Sequence, residues 1–125
     1  MADAKFSVAV HDSYVVIEIG GDPLSSEEVG AMIAGPVASA GESGKHVIYH
    51  RLTPVAQTPS TGDFYFFAKQ LEEIRFRRKI ALVLPEEMHP GNLEFFETAA
   101  SNRGVNIRLL TSLEIAVAWI EETTS

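Results

Sequence analysis

The sequence predicts an α/β domain on a mixed five-stranded sheet, with elements in the order ββαβαβαβα. Three observations predict it. Short runs rich in Val, Ile and Tyr alternate, after an initial pair of strands, with stretches whose apolar residues recur at helical spacing. Lys79–Leu84 is almost continuously apolar, as a strand in a sheet interior is. Gly, Pro and capping residues fall between the periodic runs. Strands alternating with helices imply parallel pairing and right-handed crossovers after the first hairpin.

Phe6–Val10 and Tyr14–Ile19 flank His11-Asp12-Ser13, a short polar break that predicts an antiparallel hairpin. Ser25, with Glu28 three residues on, has the spacing of a capping box. Val29, Met32, Ile33 and Val37 then form an apolar stripe, and Pro36 is expected to kink or shorten that helix. His46–Leu52 reads as the third strand. The second helix is expected to start near Ser60 or Thr61 and to bury Phe64, Phe67, Ala68, Leu71 and Ile74. After Lys79–Leu84, Pro90 suits the first turn of a third helix and Gly104 its end, with Leu93, Phe96 and Ala100 inside. Val105–Leu110 is the last strand. Thr111 and Glu114 repeat the capping-box spacing before a helix that buries Leu113, Ala116, Val117 and Ile120.

A chain of 125 residues fits one domain, 1–125, and buries roughly two thirds of its unfolded surface without staples. It has no cysteine, which excludes disulfides, thiolate nucleophiles and cysteine zinc sites and fits a cytoplasmic location. No signal peptide is recognised at the N-terminus, and no apolar run approaches the roughly 20 residues of a membrane span. Ten basic against seventeen acidic side chains leave a net charge of −7, which disfavours nucleic acid as a partner. Arg75-Phe76-Arg77-Arg78-Lys79 is a basic cluster, read as cations at the C-terminal end of the second helix.

Alternation sorts the sheet residues into two faces. Val15, Ile17 and Ile19, then Ile80, Leu82 and Leu84, then Val105, Ile107 and Leu109 make a large aliphatic face that helices must cover. The other face carries Tyr14, Val16 and Glu18, then Ala81 and Val83, then Asn106 and Arg108. His46, Ile48 and His50 join it if Val47 and Tyr49 point to the helices. That face is smaller and partly polar, which predicts a wet surface or one completed by another molecule.

His50 and Arg51 end the third strand, and Glu87 and His89 follow the fourth. They share the carboxyl edge of the sheet, where α/β proteins bind ligands. A His–carboxylate pair there suits acid–base work or a metal, yet nothing fixes ligand spacing, and the residues read as solvated loop. No catalytic or metal site is assigned and no cofactor is expected. Phe64, Tyr65, Phe66 and Phe67 run consecutively, and a helix cannot turn all four inward. Tyr65 or Phe66 is left for a neighbour, a ligand or a partner subunit.

The chain resembles the STAS and SpoIIAA-like group of small bacterial domains, which includes anti-sigma-factor antagonists. The likeness covers the element order of nearly the whole chain. In residues it rests on Lys79-Ile-Ala-Leu-Val-Leu-Pro-Glu-Glu87, on Phe95-Phe96-Glu97, on Val105-Asn-Ile-Arg-Leu-Leu110 and on the last helix from Ser112 through Trp119 to Ile120. The resemblance implies a SpoIIAA-like fold and partner or ligand binding without chemistry. It also places Ser60, in Pro59-Ser60-Thr61-Gly62, where antagonists carry a phosphoacceptor, although Pro59 stands where they have Asp. The same Ser60, Thr61 and Asp63 serve as an ordinary helix cap.

These readings lead to a non-catalytic binding or regulatory module of unknown protein partner that forms a homodimer. The expected interface is either the mixed face, through Val16, Glu18 and Arg108, or the surplus aromatics Tyr65 and Phe66. The alternative is a carrier of a small apolar, lipid-like ligand, related to Sec14-like domains, with the aromatic run lining its cavity.

Overall fold

A computed structural model describes residues 6–20, 30–51, 61–85 and 93–122. Strands β1 (Phe6–Val10), β2 (Tyr14–Ile19), β3 (His46–Arg51), β4 (Lys79–Val83) and β5 (Asn106–Leu110) form one sheet in the order β1-β2-β3-β4-β5. β1 and β2 are antiparallel, and every later neighbour is parallel. The hairpin closes tightly, with His11 N–H donating to Tyr14 O at 2.8 Å and the two rings stacked 4.5 Å apart.

Helix α1 occupies residues 30–42. It widens to π-type pairing over Ile33–Val37 and returns to α over Ala38–Glu42. Pro36 sits inside the widened stretch. Proline offers no N–H to the ordinary ladder and crowds the preceding turn, so a local π-bulge is the cheapest accommodation. Helices α2 (Thr61–Glu73), α3 (Leu93–Asn102) and α4 (Leu113–Glu121) complete the described elements.

The aliphatic face behaves as its alternation requires. Val15, Ile17, Ile19, Val47, Ile80, Leu82, Ile107 and Leu109 share one buried cluster with Met32 and Val37 of α1, Ala68 and Leu71 of α2, and Phe96 and Ala100 of α3. Strands added in one direction by crossovers of one hand put all the crossover helices on one face.

The same closure ends all three of those helices. Lys45 N–H reaches back to Ala40 O, Phe76 N–H to Leu71 O, and Val105 N–H to Ala100 O, at 2.8, 3.1 and 2.9 Å. The residue just before each donor is left-handed: Gly44 (φ 73°), Arg75 (φ 56°) and Gly104 (φ 81°). This is the Schellman arrangement, in which glycine is favoured for want of a Cβ. Phe76, just past the second turn, is buried in the core rather than displayed among its cationic neighbours.

Three expectations need correction. Ile74 lies past the end of α2 and is exposed, because the left-handed Arg75 turns the chain away. The cap of α4 is Ser112, not Thr111: its hydroxyl accepts from Ile115 N–H at 3.2 Å. Third, the mixed face is not left open between helices. α4 follows β5 and folds back over the opposite face. There Ala116, Trp119 and Ile120 bury Val16, Ile48, Ala81 and Val83. Among the described residues no helix is long and apolar enough to cross a membrane.

Candidate functional site

The mixed face holds the polar side chains, and register decides which of them meet. Glu18 of β2 stands beside His50 of β3, His50 beside Val83 of β4, and Val83 beside Leu110 of β5. Parallel pairing in this register brings Glu18 and His50 together at the carboxyl edge. Glu18 Oε2 lies 3.8 Å from His50 Nδ1, just beyond hydrogen-bond length. That nitrogen is buried and has no hydrogen-bond partner among the described residues. A small rotation closes the gap and lets the carboxylate accept an imidazole N–H. Among the described residues no third His, Asp or Glu gathers with them as a metal site would require.

Arg51 follows His50 but points to the other face, as strand alternation dictates. It is almost wholly buried, and its guanidinium bonds the phenol of Tyr49, two residues back on the same face. Burial pushes the Tyr49 phenol above its ordinary pKa, against the lowering influence of Arg51. His50 and Arg51, adjacent in sequence, therefore do not share a site. The other expected members of the edge, Glu87 and His89, lie outside the described residues, as does Ser60. Thr61 opens α2 and Asp63 lies in its first turn.

The remaining polar groups of the mixed face hold α4. Lys79 Nζ donates to Trp119 O at 2.7 Å and to Glu122 O at 3.2 Å, two carbonyls at the end of that helix. The same ammonium and the guanidinium of Arg108 lie 5.1 and 5.0 Å from the centre of the Trp119 ring, within cation–π range. Lys79 N–H donates to His46 Nδ1 at 2.8 Å. Burial, and after it the charges of Lys79 and Arg78, hold the His46 imidazole below its usual 6.5.

The expected interface residues are accordingly redistributed. Val16 is buried beneath α4 and is not available to a partner. Tyr65 packs edge-on against Phe96, with ring centres 5.5 Å apart, and its hydroxyl is buried; it is partly buried against the core. Phe66 is the surplus aromatic and is 49% exposed. Glu18 and Arg108 stand on β2 and β5, three strands apart, and each meets a different neighbour within the chain.

Trp119 is the residue that helical periodicity undervalued. Its signal was two cations, Lys79 and Arg108, on the face it covers. Compared with known proteins, the chain matches no family model, no curated protein and no solved structure.

Proposed function

We propose that the chain is a non-catalytic binding or regulatory module of the STAS, SpoIIAA-like kind, acting in the cytoplasm through self-association and a protein partner. One observation carries the reading. Among the described residues the polar side chains of the mixed face fasten a helix rather than gather as a reaction centre: Lys79 and Arg108 meet Trp119 of α4, and His46 accepts the Lys79 N–H beside them. The Glu18–His50 pair stands alone at the carboxyl edge among the described residues. The unreversed order of the described strands also supplies no switch-point crevice of the kind in which α/β enzymes hold substrates. A carrier of apolar ligands gains no support from the aromatics of α2, because Tyr65 and Phe67 pack against the core.

Light scattering over a micromolar concentration series tests the self-association. A species of 13.7 kDa throughout would overturn it. Turnover of ester or phosphoester probes by the native chain, abolished in His50→Ala, would overturn the non-catalytic half.

A further inference from the structure

The two edges of the sheet are not treated alike. On β5, Leu110 O accepts from Leu84 N–H, so the backbone of Leu109 faces outward. Its N–H is covered: Glu97 Oε2 of α3 accepts from it at 2.9 Å. Arg108 and Asn106 are exposed on the same strand and further discourage pairing. β1, at the opposite edge, has none of these guards among the described residues. Its five residues, Phe-Ser-Val-Ala-Val, contain no charge and no proline, and its register with β2 runs without a bulge. Ser7 to Ala9 are exposed, with Val8 at 43% and Val10 at 68%. Among the described residues its packing partner is β2.

The hairpin fixes which backbone groups are free. His11 and Tyr14 bond across the turn, so by antiparallel alternation Ala9 and Ser7 bond β2, and Phe6, Val8 and Val10 turn their N–H and C=O groups outward. Those three positions are symmetric about Val8. A second copy laid antiparallel along β1, with a two-fold axis at Val8, sets Val8 opposite Val8 and Phe6 opposite Val10. Every outward group of both strands is then satisfied, with no like charges opposed.

Resting on the self-association proposed above, we infer that the occupant of this edge is a second copy of the chain, pairing β1 to β1 into one continuous ten-stranded sheet. A two-fold axis normal to the sheet keeps both aliphatic faces on the same side. Val8 and Val10 of each copy then lie in the trough between the two sets of helices. A charged or irregular foreign strand does not reproduce this match; an identical strand does. A five-residue edge buries less than the ~1,200 Å² of a standard interface, so the association is concentration-dependent.

Residue-resolved amide exchange, read alongside light scattering, tests the pairing. As the mass doubles from 13.7 kDa, the amides of Val8 and Val10 should slow by about tenfold or more while that of Ala9, already bonded to β2, does not change. Val8→Pro removes an outward N–H and no bond to β2, and should remain monomeric. Val8→Lys, which opposes two like charges at the axis, should do the same if proline disturbs the strand. A dimer with unchanged Val8 and Val10 amides, or one that both variants still form, overturns this interface and leaves self-association standing. A monomer at every concentration to about millimolar overturns both.

Discussion

The ammonium of Lys79 donates to the backbone oxygen of Trp119 at 2.7 Å and so ties the end of α4 to the start of β4. No basic residue lies in the last turn of that helix, so its negative pole is met by a cation from the sheet. Replacing Lys79 by Met keeps the stem and removes two hydrogen bonds and the charge. Stability should fall by about 1–2 kcal/mol. Trp119 is the only tryptophan, so its fluorescence reports the undocking directly in a urea titration. An unchanged midpoint would show that the tie contributes nothing.

The contact beside it makes folding depend on pH. His46 accepts Lys79 N–H through Nδ1, and burial, with the Lys79 and Arg78 charges second, depresses its pKa below 6.5. The folded chain therefore takes up this proton less readily than the unfolded chain. Stability from this group is fully present above pH 6.5 and is lost as pH falls through the lower, folded value. The urea midpoint should drop between about pH 8 and about pH 5, and His46→Gln should show a shallower drop. A variant as pH-sensitive as the native chain would acquit His46.

Much of this architecture is written in the period of the sequence. Alternation alone puts Ile17, Leu82 and Ile107 on one face, because a one-residue slip would send every aliphatic side chain to water. The place of α4 is not written there. Its stripe says that Ala116 and Ile120 are buried but not on which face, and the handedness of crossovers governs only helices that link two strands. The meeting of Glu18 with His50 was hidden for another reason. Each residue stood out separately, but only the register of β2 on β3 joins them. Phe76 was masked by its flanking arginines, and its burial follows from a left-handed turn at Arg75 that sequence alone does not announce.

That turn offers a gain in stability. Gly44 and Gly104 occupy the left-handed closing position of α1 and α3, and Arg75 occupies it after α2 at φ 56°. A side chain there is disfavoured by the approach of Cβ to the following carbonyl. Arg75 is exposed, so Arg75→Gly loses no buried contact. It should raise stability by about 0.5–1 kcal/mol, with part of the relief offset by the greater freedom of glycine in the unfolded chain. Arg75→Ala keeps the Cβ and should give little. Equal gains from both would place the effect in charge rather than backbone geometry.

The covering of the mixed face is tested most sharply at Trp119. Its ring closes over a layer containing Val16, Ile48, Ala81 and Val83, with Lys79 and Arg108 at its faces or rim. Trp119→Ala removes the largest side chain of that layer and should cost about 3–5 kcal/mol, read by far-ultraviolet circular dichroism during denaturation. The helices on the other face keep their own core, so the damage should begin locally. Amides of α4 should lose protection before those of β3 and β4. The small apolar residues beneath would then be exposed beside Glu18 and His50, and the variant should bind a hydrophobic dye that the native chain excludes. A cost below about 1 kcal/mol, with α4 still protected, would mean that Ala116 and Ile120 hold the helix without the ring.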